Sequence, residues 1–255
     1  MAHTEYIREV PDSHTAILFL HGIIGSPDHF GFLLPRIPKS WSVYNLLLHG
    51  HGGSVRDFSR SSMAKWETQV NEVLSRLLKT HENIVIAGHS MGTLFAVDAG
   101  IKCPSRIKAL FLINPPLKVG IKAKMLPISL KLAFDRIPEN DRYLQAQKAA
   151  CSITPTKKLW EYLWWIPRYL ELFRKIHKTK NAPQHLTVPG YAFHSGKDEL
   201  VSQKSLKFLH SYSTLKTIHL KNSGHNYYVE EEKKILTETF EKMCRDLEEL
   251  QIKRI

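Results

Sequence analysis

The chain has 255 residues, of which 43% are hydrophobic and 24% are charged, and its formal net charge is +12. This composition excludes a mainly disordered chain and is sufficient for one α/β domain with an insertion. The three cysteines are too few and too widely spaced for a disulfide framework or a zinc-binding pattern, which favours a reducing compartment.

The N-terminal segment has no apolar stretch of the kind found in secretion signals. The longest apolar run extends from Ala16 to Ile24 and is far shorter than the roughly 20 residues that span a bilayer. We therefore expect a soluble, cytoplasmic protein.

Short apolar runs alternate with helical patterns in the first part of the chain. In the first long helical pattern, Trp66, Val70 and Leu74 recur at the spacing of one helix face. Strands are predicted over residues 15–20, 42–48, 83–87 and 106–113, and helices over 63–80 and 90–101.

The alternation stops between residues 117 and 185, where no strand pattern is evident. Helical patterns cover 121–134 and 156–178, and Pro167 should interrupt the second of them near Trp165. Strand patterns then return over 188–194 and 215–220, with helices over 202–211 and 228–250.

Alternating strands and helices indicate an α/β fold with a mainly parallel sheet covered by helices on both faces. In such sheets, ligands bind at the carboxyl ends of the strands. Candidate functional residues are therefore expected directly after strands.

The segment Gly88-His89-Ser90-Met91-Gly92 follows a predicted strand and opens a predicted helix. This is a G-x-S-x-G motif in the strand-turn-helix context of a catalytic serine. The glycines leave room for a sharp turn, which presents the Ser90 hydroxyl above the sheet at a helix N-terminus that favours negative charge. The alternative is a Ser90 that only caps the helix.

A serine hydroxyl needs a neighbouring base to become a nucleophile. Asp198 follows the strand over 188–194, and His225 follows the strand over 215–220, which is the expected order of serine, acid and histidine. His225 would accept the proton of Ser90, and Asp198 would orient the imidazole. The alternatives are Glu199 as the acid, an Asp198 that only caps a helix, and a loop histidine with no role.

Stabilising a tetrahedral intermediate takes two backbone N–H groups that point at the negative oxygen. Met91, directly after the serine, should supply one of them. The loop after the first long strand, His21-Gly22-Ile23-Ile24-Gly25, should supply the other from Ile23, because Gly22 allows a close approach. The alternative is an ordinary turn between a strand and a helix.

The segments LFLHGIIGSP, HGHGGS, GHSMG, HSGKDELVS and NSGHNYY, spread over residues 18–228, together resemble the α/β-hydrolase superfamily. The similarity is greatest to its monoacylglycerol lipase and bacterial carboxylesterase branch. The resemblance implies the α/β-hydrolase fold, with an eight-stranded, mostly parallel sheet in residues 1–116 and 186–255. It also implies a helical cap, residues 117–185, inserted after strand six.

The same resemblance implies a hydrolase of carboxylic esters that needs no cofactor. Its catalytic residues are then Ser90, Asp198 and His225, and its oxyanion hole is formed by Ile23 and Met91. The substrate would be a small-molecule ester or a lipid.

The expected cap is both basic and aromatic, with 14 Lys and Arg against 5 Asp and Glu. We expect Trp160 and Trp164 in the cap, and Gly22 and His89 in the core, to bind substrate. Aromatic residues beside basic ones are also typical of a transient contact with a membrane surface. The alternatives are that the aromatic side chains only pack the cap onto the core and that the charges form a solvated surface.

Other function classes remain alternatives at the level of sequence. Thioesterases, amidases and C–C bond hydrolases use the same three residue types, and a non-catalytic binding protein can share the scaffold. No motif supports nucleic-acid binding, and no third ligand accompanies His49 and His51 at a spacing that suits a metal.

Overall fold

The structure is a computed structural model that describes residues 3–123, 128, 131 and 137–252. Within these residues the strands are β1 (Tyr6–Arg8), β2 (Thr15–Leu20), β3 (Ser42–Leu46), β4 (Asn83–His89), β5 (Ile107–Ile113), β6 (Gly190–Ser195) and β7 (Leu215–Leu220). The α-helices are α1 (Val55–Ser59), α2 (Met63–Thr80), α3 (Met91–Lys102), α4 (Arg142–Ala150), α5 (Ile166–Lys180), α6 (Ser205–Leu209) and α7 (Glu230–Ile252). Short 3₁₀ helices cover Pro27–Phe30, Leu34–Arg36, Leu159–Trp165 and Pro183–His185.

The strands form one sheet in the order β1-β3-β2-β4-β5-β6-β7, parallel throughout except for β1, which runs antiparallel to β3. The expected α/β architecture is confirmed. The described residues contain seven strands instead of eight, and the missing one lies before the insertion, which therefore follows the fifth strand. The N-terminal edge of the sheet consists of β1 alone, which pairs with β3 over only three residues.

Each face of the sheet carries its own apolar core, because successive side chains of a strand point to opposite faces. On β2, Ala16 and Leu18 face a core built with α2, α3 and α5, whereas Ile17 and Phe19 face a core built with α7. All six residues of β2 are buried, as expected for a strand covered on both faces. No helix of the described residues is long and apolar enough to cross a membrane.

The segment between β5 and β6 contains helices joined by irregular stretches where the structure describes it. The helix expected over 156–178 is divided into the 3₁₀ helix Leu159–Trp165 and α5, and Pro167 lies in the first turn of α5, which confirms the predicted interruption. The pattern at 121–134 lies largely outside the described residues. Helix α4 was not predicted, because its apolar positions are too few to give a clear periodicity.

Polar contacts attach this segment to the helices on one face of the sheet. The Trp165 indole N–H donates to the Val55 carbonyl of α1 at 3.0 Å. The Lys175 ammonium is 4% exposed and pairs with Glu67 of α2 at 2.6 Å and with Asp98 of α3. A buried ammonium is tolerated when carboxylates compensate its charge, so this cluster fixes α5 against both core helices.

Replacing Lys175 with alanine should lower the free energy of unfolding by about 1–3 kcal/mol, because Asp98 and Glu67 lose their cation. The expected loss is below that of a fully buried pair, since Glu67 is 41% exposed and water can solvate it. Urea denaturation measures the difference. The matched control is Lys178→Ala on the exposed side of the same helix. An equal loss in both variants would show that the Lys175 cluster contributes nothing specific.

Candidate active site

The turn at Ser90 combines backbone strain with close packing. Ser90 has φ +48° and ψ −120°, a conformation that non-glycine residues rarely adopt. A Cβ at Gly92 would lie 1.8 Å from the Leu20 carbonyl oxygen, and one at Gly88 would lie 2.7 Å from the Thr93 nitrogen. The predicted need for glycine on both sides of the serine is confirmed.

The Ser90 side chain does not cap the helix that follows it. Its hydroxyl makes no capping hydrogen bond to α3, which excludes the helix-cap interpretation. The backbone is held instead, because the Ser90 N–H donates to the Ile113 carbonyl at 2.9 Å and the Thr93 hydroxyl donates to the Ser90 carbonyl at 2.6 Å. The hydroxyl therefore remains available at the N-terminus of α3.

Asp198 and His225 form a buried pair at the carboxyl edge of the sheet. His225 Nδ1 lies 2.8 Å from Asp198 Oδ2, and the two side chains are 4% and 0% exposed. The other carboxylate oxygen, Oδ1, accepts the N–H groups of Leu200 and Val201, each at 2.8 Å. An ionised carboxylate only accepts hydrogen bonds, so Nδ1 carries the proton and Nε2 keeps its lone pair.

The pair shifts the pKa of both of its members. Burial lowers the pKa of His225, but the charge and hydrogen bond of Asp198 outweigh burial and hold it above its ordinary value. Burial raises the pKa of Asp198, but His225 and the two backbone N–H groups outweigh burial and hold it below its ordinary value. The arrangement stabilises an imidazolium beside a carboxylate.

The backbone of His225 is fixed by side chains from other elements. Its carbonyl accepts hydrogen bonds from Asn114 Nδ2 at 3.0 Å and from His89 Nε2 at 3.1 Å. Asn114, at the end of β5, has φ +52° and also accepts the Ser195 N–H at 2.9 Å. The rings of His89 and His225 lie 4.9 Å apart, so His225 sits beside the residue that precedes Ser90.

Glu199 is fully buried next to the same loop, and its hydrogen bonds go to groups other than the imidazole. Its carboxylate accepts the backbone N–H of His225 at 3.2 Å, the Tyr143 hydroxyl at 2.5 Å and the Gln147 amide at 2.7 Å. Gln147 also accepts a hydrogen bond from Asn226 at 2.9 Å. The acid that faces the imidazole is therefore Asp198, whereas Glu199 joins helix α4 to the His225 loop.

The loop from Gly22 to Gly25 approaches the serine closely. A Cβ at Gly22 would lie 3.0 Å from the Ser90 Cβ. The Gly25 N–H donates to the Gly22 carbonyl at 3.0 Å, which closes a turn with Ile23 and Ile24 at its centre. Within the described residues, no hydrogen bond uses the Ile23 N–H. Met91 is the first residue of α3, so its N–H has no acceptor within the helix.

His21 holds this loop in place. Its Nε2 accepts the Leu48 N–H at 3.0 Å, so Nδ1 carries the proton and donates to the Gly22 carbonyl at 2.8 Å. His21 is fully buried, and burial lowers its pKa from 6.5 to about 4. The neutral tautomer therefore matches both of its partners.

The remaining predicted substrate-binding residues lie in different surroundings. His89 is 3% exposed and supports the His225 loop, as described above. Trp160 and Trp164 are 60% and 68% exposed, on the outer side of the segment between β5 and β6. The structure thus brings Gly22, His89, Ser90 and His225 together and leaves the two tryptophans on the surface.

The sequence patterns do not predict the roles of Asn114, Glu199 or His29. Asn114 directly follows a strand, and a polar residue at that position is a usable signal. Glu199 adjoins the expected acid, but no pattern assigns it to the backbone of His225. His29 stacks on His89 with ring centroids 3.7 Å apart and contacts the Tyr228 hydroxyl at 3.1 Å, which no local sequence feature announces.

Two further histidines near the site have protein groups as hydrogen-bond partners. His51 Nδ1 contacts the Leu48 carbonyl at 3.0 Å, and His49 Nδ1 contacts the Ser61 hydroxyl at 3.1 Å. In the part of the chain that the structure describes, no group of three or more His, Cys, Asp and Glu residues is arranged to hold a metal ion.

Acid should destabilise the fold as the buried histidines are forced to take up protons. The unfolded chain binds a proton at His21 below about pH 6.5 and the folded protein only near pH 4, so the free energy of unfolding falls as the pH falls through this window. Burial also lowers the pKa of His51 and His89, whereas the raised pKa of His225 acts in the opposite direction.

The expected slope for His21 alone is about 1.4 kcal/mol per pH unit. Urea denaturation at a series of pH values measures it, and NMR titration of the histidine ring protons identifies the residues that stay neutral. Constant stability between pH 6.5 and pH 5, or a His21 signal that titrates near pH 6.5, would contradict the prediction.

Comparison with known proteins identifies the family and the fold of the chain. The model of the family described as serine aminopeptidase, S33, matches residues 11–232. A metagenome-derived lipolytic enzyme, from a study of the enzymes LipS and LipT, superposes with a TM-score of 0.73 at 19% identity, covering 96% of this chain and 98% of that one. The monoacylglycerol lipase of Paleococcus ferrophilus superposes with a TM-score of 0.66 at 14% identity, covering 94% and 98%.

Curated relatives are similar over shorter stretches. A Haemophilus influenzae protein described as an esterase/lipase is 23% identical over 99 residues, which is 38% of this chain and 33% of that protein. The chain aligns with between 29% and 46% of the length of the curated relatives that it matches. The family model covers most of the chain, and the chain therefore belongs to the serine aminopeptidase S33 family of hydrolases, with the α/β-hydrolase fold.

Proposed function

We propose that this hydrolase cleaves carboxylic esters through an acyl-enzyme formed on Ser90. The observation that carries the proposal is a serine on a strained turn, with a hydroxyl that caps no helix, beside the buried Asp198–His225 pair. Such a serine becomes a nucleophile when a base removes its proton. His225 is that base, because Asp198 occupies Nδ1 and leaves the lone pair of Nε2 available.

In the first half of the reaction, the Ser90 oxygen attacks the ester carbonyl carbon and its proton passes to His225 Nε2. The carbonyl oxygen becomes negative and accepts hydrogen bonds from the Ile23 and Met91 N–H groups. Asp198 stabilises the imidazolium. The tetrahedral intermediate then collapses, His225 returns the proton to the leaving alcohol, and the acyl group stays on Ser90.

In the second half, water replaces the alcohol. His225 removes a proton from the water as its oxygen attacks the acyl carbon, and the same two N–H groups bind the second oxyanion. Collapse releases the carboxylic acid and returns the proton to Ser90.

The choice of an ester over a thioester, an amide or a C–C bond rests on the resemblance to lipases and esterases, because the same three side chains serve all of these reactions. The similarity to a lipolytic enzyme and to a monoacylglycerol lipase also supports an ester with an acyl chain as the substrate. Matched octanoyl esters, thioesters and anilides distinguish these chemistries, and we expect the ester to be hydrolysed with the highest kcat/KM.

A fluorophosphonate probe should label the protein on Ser90, and Ser90→Ala should abolish both labelling and ester hydrolysis. The expected fall in kcat is at least about 10³-fold, because the three side chains act as a unit. Mass spectrometry of the labelled peptide and hydrolysis of p-nitrophenyl octanoate measure the two effects. Ser75→Ala, at an exposed position of α2, is the matched control.

No labelling of the unmodified protein would favour a non-catalytic binding role on the same scaffold. Labelling that survives Ser90→Ala would place the nucleophile elsewhere. Efficient labelling with activity only on a thioester or an amide would keep the mechanism and change the substrate class.

The pH dependence of kcat/KM should report the shifted pKa of His225. The base must be neutral, and Asp198 holds its pKa above the ordinary 6.5, so activity should fall with decreasing pH through a midpoint above 6.5. In Asp198→Asn the charge is lost, so the midpoint should move to lower pH and the plateau should fall on the order of 10⁴-fold.

Steady-state kinetics across pH measure both effects. The control is Asp246→Asn, which removes an exposed carboxylate that pairs with Lys242 on α7. A midpoint that stays in place in Asp198→Asn would contradict the assignment of His225 as the titrating base.

A further inference from the structure

The outer side of the segment between β5 and β6 carries a cluster of exposed apolar side chains, here called the 159–173 face. Its members are large apolar side chains that are between 42% and 68% exposed: Leu159, Trp160, Leu163, Trp164, Ile166, Leu170 and Phe173. Isolated exposed apolar residues are normal, but a cluster of seven along two consecutive helices marks an interaction site.

The 159–173 face is fixed in its orientation because the opposite side of the same helices is anchored to the core. Trp165, Leu172 and Ile176 are buried, and Lys175 is held between Glu67 and Asp98. The helices therefore cannot turn to bury the exposed apolar side chains in the core. They point away from it in a surface that exists before any partner binds.

The two carboxylates of residues 157–180 are already neutralised by arginines. Glu161 is 8% exposed and pairs with Arg56 at 2.8 Å. Glu171 pairs with Arg168 at 2.6 Å and also accepts the Met63 N–H at 2.8 Å. Neither carboxylate opposes the positive charges that surround the 159–173 face.

Those positive charges are exposed at both ends of the face. Lys157 and Lys158 precede it, and Lys158 lies 6.0 Å from the centre of the Trp160 ring. Arg174 and Lys178 continue the exposed side of α5 beyond Phe173. The surface is therefore apolar at its centre and cationic at its ends.

We propose that the 159–173 face docks this protein onto the surface of an anionic lipid bilayer. Tryptophan and leucine side chains enter the boundary between headgroups and acyl chains, while lysine and arginine side chains reach the phosphates. Each cation near an anionic leaflet adds to binding, and the absence of free carboxylates on this stretch removes the opposing repulsion. Docking is a property of the surface and does not require chemistry at Ser90.

Vesicle co-sedimentation with the full chain tests the proposal. Binding is expected to phosphatidylcholine vesicles that contain phosphatidylglycerol, with a blue shift of tryptophan fluorescence, and to weaken as salt is added. Binding to pure phosphatidylcholine should be much weaker. Ser90→Ala should bind as well as the unmodified protein, so failure of the proposed ester hydrolysis and failure of docking are distinguishable.

Two variants divide the apolar and ionic contributions. The first variant combines Trp160→Ser with Trp164→Ser. The second replaces four cations by glutamine, namely Lys157, Lys158, Arg174 and Lys178. Each variant should weaken vesicle binding by at least about tenfold. Circular dichroism and the unfolding midpoint confirm that these surface variants fold. The matched control replaces four exposed lysines elsewhere by glutamine, namely Lys79, Lys204, Lys207 and Lys216.

Three results would overturn the proposal. An equal loss in the control would show that net charge acts without a specific face. Unchanged vesicle binding in the tryptophan variant would show that the apolar side chains do not contribute to docking. Self-association that the tryptophan variant abolishes, without any vesicle binding, would assign the 159–173 face to a second copy of the chain.

Discussion

The close approach of α3 to β2 is the constraint on which the site depends. At Gly92 the helix backbone lies so near the Leu20 carbonyl that no side chain fits between them. The chain must therefore leave β4 and enter α3 within a turn too tight for ordinary dihedral angles, and Ser90 takes the strain at φ +48°. Tertiary packing over-determines this conformation, which is how a strained residue persists in a folded protein.

The edge of the sheet next to this turn buries many ionisable groups, and nearly all of them have matched partners. Asp198 receives two backbone N–H groups and an imidazole, while Glu199 receives a backbone N–H, a hydroxyl and an amide. His21 and His89 use their neutral tautomers to hold the backbone of the Gly22 loop and of the His225 loop. The positions of the proposed catalytic groups thus follow from satisfied hydrogen bonds, because leaving such groups unpaired in the interior would cost more than ordering them.

Much of the fold and part of the site follow from the sequence. The α2 helix and the strands β2 and β7 have the predicted bounds, because apolar periodicity in these segments reflects burial directly. The Asp198–His225 pair could be predicted, because each residue follows a predicted strand and their order in the chain is visible in the sequence. Asn114, His29 and the role of Glu199 were not predicted, because each acts through contacts between residues far apart in the chain, such as Asn114 with His225 and His29 with Tyr228.

The segment between β5 and β6 shows why helical periodicity alone gave an incomplete description. A period indicates that one side of a helix is apolar, but here α5 buries a lysine and exposes several large apolar side chains. Only the partners Glu67 and Asp98, contributed by two other helices, explain which side faces inward. Exposed clusters of large apolar side chains mark sites where a protein binds another surface.

The same segment also reaches both loops that flank Ser90. The Ser152 N–H donates to the Ile24 carbonyl at 2.9 Å, beside the proposed oxyanion donor, and Gln147 and Tyr143 contact the Glu199 carboxylate that holds the His225 backbone. A displacement of α4 would therefore move acceptors and donors on both sides of the serine at once. Since reacting groups tolerate only small errors in position, the segment that carries the 159–173 face is also part of the framework that holds the site in register.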